Sequence, residues 1–424
     1  MLLDYQIAAR DSLVEAITTI NAGIDCSETG TGKTYVACAV AKALHLRIAV
    51  VCPRIMVFKW GQVAKEFGVD VVFIDSYEKL RGGRTAHYSK KIGWTLGEAK
   101  NKTLIVFDEV HKAKNANTKS SKLLIRAVEQ GVRVLMASAT AAANPIEMKA
   151  IGFALRLFPL KDWWNWCLRN GCKPGRFGGL EFRATSNAMR KIHDSIFPKK
   201  GARITKAALG DAFTQNQVLT EIVDGDDGAK IEAAHSEIRA ALRDLRTKAL
   251  SDKDPDSPIT LLLRARQRVE LLKIEAIKAS IELGEDSGFS VVCFVNFRAT
   301  LDALRKYFPK AEVIHGGQTT ADRQLAIDNF QTNVAKIIFV TIASGGVGLS
   351  LDDTVGDHPR LALINPSFSA IDLIQALGRI HRASTKSPCL QKILFSNCET
   401  ERRVERNVHK KLKRIAELND GDLE

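Results

Sequence analysis

The sequence predicts an α/β protein of two parallel-sheet lobes in tandem, with a mainly helical stretch between them and a helix closing the chain. Three observations point there. A chain of 424 residues exceeds what one compact core usually holds, which favours two or three domains. Over residues 1–150, short and nearly continuous apolar runs at 48–52, 71–74, 103–107 and 133–136 alternate with amphipathic stretches at 34–44 and 119–129. Runs of that kind are what parallel strands buried on both faces require. The same alternation resumes after 258, with strand candidates at 290–295, 312–315, 336–341, 361–364 and 392–395.

The expected domains are therefore 1–150, a helical and linking section 151–257, a second lobe 258–400, and a terminal helix and tail 401–424. Within the middle section, residues 161–206 hold eleven Lys/Arg against three acids, interleaved with Trp163, Trp164, Trp166, Phe177, Phe182 and Phe197. Aromatics among basic residues could stack on bases, or could anchor a small subdomain whose cations face solvent. A helix is predicted over 228–250, with Ile231, His235, Ile238, Leu242 and Leu245 in one stripe. The proline- and aspartate-rich stretch 251–258 reads as an exposed linker, and 261–283 as a single helix. The last helix, 401–418, carries Val404, Val408, Leu412 and Ile415 in a stripe suited to bracing the lobes, with a mostly basic remainder.

An apolar fraction of 45% and a mean hydropathy of −0.08 describe an ordinary soluble composition. No apolar run approaches the ~18 residues that a membrane span needs. The opening Met1-Leu2-Leu3-Asp4-Tyr5-Gln6 has neither a basic segment nor a long apolar one, so secretion is not expected. Eight dispersed cysteines with no C-x-x-C pair suit buried thiols of a reducing cytoplasm, nucleoid-associated or in a host cell if the source is viral. Cys167 and Cys172 lack the second pair that a zinc site would need. The formal charge of +14 calls for an anionic partner, with nucleic acid first.

The chemistry begins at Ser27-Glu28-Thr29-Gly30-Thr31-Gly32-Lys33-Thr34. It matches G-x-x-x-x-G-K-[ST] except at Ser27. Glycines let successive amides point at phosphate oxygens, with Thr29, Gly30, Thr31 and Gly32 forming the cradle. Lys33 brings a charge to the β/γ-phosphates, and Thr34 offers a hydroxyl to Mg²⁺. At the end of the 103–107 run stands Asp108-Glu109-Val110-His111. A carboxylate at that strand end can hold the metal, a role assigned to Asp108, and Glu109 can activate water as a general base.

This segment resembles the DEAD/DEAH-type motif of superfamily 2 helicases and translocases, and further motifs follow in that family's order. Tyr5-Gln6 is similar to the Q motif, whose glutamine reads adenine. Val51-Cys52-Pro53 with Trp60 resembles motif Ia, and Ser138-Ala139-Thr140 motif III. Val295-Asn296-Phe297 stands where motif IV lies, with Ile314-His315-Gly316-Gly317 after it. The segment from Thr341 through Ser344 and Gly348 to Leu349 resembles motif V, with Gly348 on the nucleotide side. Gln375-Ala376-Leu377-Gly378-Arg379-Ile380-His381-Arg382 closely matches motif VI, Q-x-x-G-R-x-x-R. Spaced i, i+3, Arg379 and Arg382 would share one helical face and reach a γ-phosphate together, with Gln375 beside them. The run 108–115 followed by Ser120-Ser121-Lys122, and Asn144-Pro145-Ile146-Glu147 after motif III, bring the likeness closest to the Snf2-like group.

The resemblance implies two RecA-like lobes and an ATPase in which the second lobe closes on nucleotide held by the first. Such a cycle would move the protein along double-stranded or forked DNA without reading sequence. Backbone contacts are expected from Pro53 and Arg54 in the first lobe and Asn296, Thr341 and Ser344 in the second, with Ser138 and Thr140 coupling the two sites. Departures at Ser27, Val110, Ser350 and Ala383-Ser384-Thr385, together with the modest length, point from chromatin remodelling toward a compact fork-remodelling or annealing motor of bacterial or phage type. An RNA helicase, a restriction-system motor, and an ATP-regulated binding switch without movement stay open as alternatives.

Overall fold

The computed structural model describes residues 2–83, 85–114, 118–175, 178–182, 187–212, 214–223, 228–244, 258–345, 349–366 and 369–420. The chain divides into two compact units, Met1–Gly210 with Lys411–Glu424, and Asp211–Lys410. Each is organised around one six-stranded, all-parallel sheet.

The first sheet comprises β1 (Ala22–Asp25), β2 (Arg47–Cys52), β3 (Val71–Ser76), β4 (Thr103–Asp108), β5 (Arg133–Ala137) and β6 (Gly201–Ala202), in the order β6-β1-β5-β4-β2-β3. Its central strands are covered on both faces. Ala49, Val51, Ile105 and Phe107 pack into one apolar cluster, while the alternate residues Ile48, Val50, Leu104 and Val106 pack into another. Two-sided burial explains why these strands read as unbroken apolar runs. Helices α1 (Asp4–Ile20), α2 (Lys33–Ala43) and α3 (Val57–Phe67) supply one cover, and α4 (Lys119–Glu129) belongs to the other.

The second sheet comprises β7 (Asn216–Val223), β8 (Ser290–Val295), β9 (Glu312–Ile314), β10 (Ile337–Thr341), β11 (Arg360–Ile364) and β12 (Cys389–Ser396), in the order β7-β12-β11-β8-β10-β9. Its helices include α5 (Gly228–Asp244), α6 (Pro258–Leu271), α7 (Ile274–Asp286), α8 (Ala370–Leu377) and α9 (Glu399–Asp420).

The section 151–257 contains helices, as expected, but also a strand for each sheet. β6 pairs with β1, and β7 runs beside β12 over its full length. Both escaped the pattern for physical reasons. β6 is two residues long and rests on Gly201, where a Cβ would stand 2.8 Å from the Ile24 carbonyl oxygen. β7 is a sheet edge whose Val218, Leu219 and Ile222 are exposed, so its apolar residues do not report a core. β1, the strand leading into the phosphate loop, is four residues with a glycine and an aspartate and carries too little signal to read.

The single helix expected over 261–283 is two helices, broken at Leu272 and Lys273. The break turns the Lys273 ammonium inward onto Glu401 of α9, where His235 Nε2 also lies 3.0 Å from Glu401 Oε1. The stripe residue His235 thus belongs to a buried polar triad. The linker residues 251–257 lie outside the described residues. Among the described residues, no helix is long and apolar enough to cross a membrane.

Candidate nucleotide and nucleic-acid sites

In the first unit, β1 ends at Asp25 and the chain turns through residues 26–32 into α2, which begins at Lys33. Gly30 and Gly32 take φ of +87° and +91°, where a side chain would be strained. At Gly32 a Cβ would also stand 2.3 Å from Gln6 Nε2, so the buried glutamine would have to shift. The Ser27 amide donates to Asp25 Oδ1 at 2.9 Å, and Thr31 Oγ1 to the Glu28 carbonyl at 2.9 Å. Lys33 Nζ donates to the carbonyls of Ser27 at 2.7 Å and Glu28 at 2.8 Å, folding the lysine over its own loop. Burial pushes the Lys33 pKa down, and the charges of Asp25, Glu109 and Asp108 act against that. Thr34 follows in the first turn of α2, half-buried.

Gln6 lies beneath this loop rather than at an open surface. Its Nε2 donates to the Thr31 carbonyl at 2.8 Å, and its Oε1 accepts the Leu3 amide at 2.9 Å. The Tyr5 hydroxyl stands 3.4 Å from the same Thr31 carbonyl oxygen. In this arrangement the glutamine expected to read adenine braces the cradle.

Asp108 ends β4, two strands from β1, with Trp60 Nε1 donating to its Oδ2 at 2.9 Å and the Tyr77 hydroxyl donating to its carbonyl at 3.0 Å. Burial, with the neighbouring Glu109 charge adding to it, pushes the Asp108 carboxyl up to about 6. Glu109 sits at φ +52°, a left-handed conformation that non-glycine residues adopt only at a cost of order 1 kcal/mol. It holds the carboxylate 3.2 Å from His111 Nδ1, the nitrogen that also lies 3.2 Å from Ser138 Oγ. Ser138 Oγ in turn accepts the Thr140 amide at 3.2 Å. Lys114 Nζ stands 3.3 Å from Glu147 Oε1, so the two Snf2-like segments meet.

In the second unit, α8 ends at Leu377, and Arg379 and Arg382 follow in the loop beyond it. The shared helical face expected for them is therefore not how they are held. Gly378 follows the last helical residue, and the two guanidinium groups converge instead on one carbonyl, that of Leu349, Arg379 Nη1 at 3.4 Å and Arg382 Nη2 closer. Two of the departures noted after motif VI support this loop. Ser384 Oγ donates to Asp352 Oδ2 at 2.5 Å, and Thr385 Oγ1 accepts the Arg382 amide at 2.7 Å. Gln375 is buried on α8, and Gly348 lies outside the described residues.

The expected nucleic-acid contacts divide by burial. Arg54 is exposed, and Asn296 and Ser344 are half-buried. Pro53, Ser138, Thr140 and Thr341 are buried and offer no surface in this conformation. Asn296 is also committed, its Nδ2 donating to Glu270 Oε2 at 2.6 Å. Burial could not be read from motif order, because the motifs line the C-terminal ends of buried strands. Two residues beside the expected nucleotide loop were missed altogether. Asp25 is a buried carboxylate beside Lys33, and Arg203 donates through Nη1 to the Cys26 carbonyl. The basic, aromatic stretch around Arg203 gave the only hint, and it pointed to nucleic acid.

Comparison with known proteins finds two family models on the chain, "Type III restriction enzyme, res subunit" over residues 1–142 and "Helicase conserved C-terminal domain" over 272–384. A protein of Acanthamoeba polyphaga mimivirus, provisionally named ATP-dependent RNA helicase L364, is 34% identical over 433 residues, covering 95% of this chain and 80% of its own. The Xenopus laevis SWI/SNF-related matrix-associated actin-dependent regulator of chromatin subfamily A-like protein 1 is 23% identical over 89% of this chain and 40% of its own length. Among solved structures, the Sulfolobus solfataricus SWI2/SNF2 ATPase core in complex with dsDNA aligns over 96% of this chain and 90% of that one, with 17% identity and a TM-score of 0.40.

Proposed function

Since the chain belongs to the superfamily 2 helicases and translocases, in their Snf2-like group, and is an ATP hydrolase of that family, we propose that it is an ATP-dependent motor on double-stranded or branched DNA. One observation carries the motor reading. The hydrolytic carboxylate Glu109 is joined through His111 and Ser138 to the Thr140 amide, a path from the nucleotide toward motif III. Such a path supports coupling of hydrolysis to a second site, which movement requires.

ATP is held by the 27–34 loop, with Lys33 leaving the Ser27 and Glu28 carbonyls for the phosphates. Glu109 takes a proton from the attacking water. Arg379 and Arg382 supply the cations for charge developing on the γ-phosphate. The Thr34 hydroxyl and Asp108 carboxylate are hard oxygen donors of the kind Mg²⁺ prefers. A carboxylate pushed toward protonation by burial, and further by its neighbour's charge, is also what a divalent cation relieves. When bound, the ion would neutralise phosphate charge.

The +14 charge and the chromatin regulator among the relatives support DNA, and the name of the mimivirus relative favours RNA as the second reading. ATPase rates with duplex DNA, single-stranded DNA, forked DNA and RNA decide between them. Duplex or forked DNA is expected to stimulate most, and stimulation by RNA alone sinks the DNA reading. Arg382→Ala is expected to abolish the stimulated rate, and full activity in that variant would remove the arginine from the mechanism.

A further inference from the structure

The hydrogen-bonded ladder between β6 and β1 does not stop where the sheet does. The Ile24 amide donates to the Lys200 carbonyl at 3.1 Å, Cys26 to Ala202 at 2.9 Å, and Glu28 to Ile204 at 2.9 Å. The pairing therefore continues into the phosphate loop itself. Side chains add to it from both directions. The Ile204 amide donates to Ser27 Oγ at 3.0 Å, and the Lys206 amide to Glu28 Oε2 at 3.0 Å. The Arg203 guanidinium donates to the Cys26 carbonyl and stands 3.6 Å from Glu28 Oε1.

We propose that residues 200–206 form a fixed strap on the phosphate loop, in which Arg203 is a positioning residue for ATP binding and Ser27 is the anchor. Residues 26–28 face the strap on one side, and the carbonyls of Ser27 and Glu28 hold Lys33 on the other. The strap thus fixes the place from which Lys33 must move to meet phosphate. The Arg203 charge also reaches this site, acting on both Asp25 and Lys33. Ser27 then has a purpose where the loop pattern has glycine. A glycine there has no hydroxyl for the Ile204 amide, and it frees the backbone at the point where the loop leaves the strand.

The inference rests on reading 27–34 as the nucleotide cradle, and the experiment separates the two. Affinity of the full-length protein for a fluorescent ATP analogue is titrated, alongside ATP KM, kcat and melting temperature, for Ser27→Gly, Arg203→Ala, Arg203→Lys, Glu28→Gln and Lys33→Ala. Ser27→Gly and Arg203→Ala are expected to raise Kd and KM about tenfold, the loss of one charge-assisted or buried hydrogen bond, while kcat at saturating ATP changes less than about twofold. Arg203→Lys keeps the charge without the fork and should fall between wild type and Arg203→Ala. If Arg203→Ala does not fold, Ser27→Gly and Arg203→Lys carry the test. Wild-type Kd and KM in Ser27→Gly and in the Arg203 variants overturn the strap, whatever happens to melting temperature. Lys33→Ala binding the analogue normally would instead overturn the cradle. Loss of binding in Lys33→Ala with normal binding in Arg203→Ala removes only the strap.

Discussion

His111 Nδ1 lies 3.2 Å from Glu109 Oε2, and the same nitrogen lies 3.2 Å from Ser138 Oγ. One ring nitrogen serves two partners, one the carboxylate proposed as the base and one in the Ser138–Thr140 segment. A hydrogen on that nitrogen favours the carboxylate, and the serine hydroxyl can donate when the nitrogen is bare. Such a position suits a relay that senses whether nucleic acid is engaged. His111→Ala is expected to lower the ratio of DNA-stimulated to basal ATPase by about tenfold, a coupling of roughly 1.4 kcal/mol. An unchanged ratio would show that the contact is only structural.

Glu109 occupies a left-handed backbone position, and nothing about a surface turn would require a glutamate to do so. The side chain it carries stands 3.2 Å from His111 Nδ1, and in the proposed mechanism Asp108 serves the metal and Glu109 the water. Glu109→Gln keeps the shape and removes the base. Its kcat should fall by about 10²–10⁴ while ATP affinity stays near wild type. A comparable loss in affinity would place Glu109 in binding rather than in chemistry.

The tryptophans of the basic stretch separate into anchors and one exposed ring. Trp166 is buried against Phe158, with ring centroids 4.6 Å apart, and Trp163 lies under the Lys149 ammonium at 4.7 Å. Trp164 is 40% exposed, with the neighbouring Leu168 at 36%. Trp166→Ala should destabilise the first unit by about 3–5 kcal/mol. Trp164→Ala should leave stability within about 0.5 kcal/mol. If the stretch stacks on a junction, the latter should weaken forked-DNA binding by roughly 1–3 kcal/mol, read in a salt-matched binding assay. Equal binding by Trp164→Ala and wild type would remove Trp164 as a stacking residue.

Much of this molecule was legible because buried parallel strands and phosphate chemistry both leave dense local signals. β2, β4, β5, β8, β10 and β11 are buried on both faces, and their apolar runs are the trace of that burial. Ser27–Thr34 and Asp108-Glu109 stood out because phosphate and metal chemistry would restrict residue type and spacing there. The strands that escaped, β1, β6 and β7, are held by a neighbour's pairing rather than by their own composition. Arg203 escaped for the same reason, since its partners are 177 and 175 residues away in the chain and no spacing rule spans that distance. Arg379 and Arg382 show the converse. They were expected on one helical face, but a loop and a shared carbonyl bring them together, not a helix.

Glu401 gives a pH dependence that can be worked through. Burial alone would raise its carboxyl, but the Lys273 charge and the His235 hydrogen bond outweigh it and hold the pKa at about 2, against an ordinary 4.5. A carboxylate with a depressed folded-state pKa stabilises the fold fully above its unfolded value and loses that contribution as the pH falls toward the folded one. The second unit should therefore lose on the order of 3 kcal/mol between about pH 5 and pH 2 from this group. Glu401→Gln removes that slope and leaves the Lys273 ammonium buried without its counter-charge, costing about 3–5 kcal/mol near neutrality. Urea unfolding at pH 7, 4 and 3 tests both statements. The gap between wild type and Glu401→Gln should narrow as the pH falls, and a gap independent of pH would mean that the carboxylate charge contributes nothing to holding α6, α7 and α9 together.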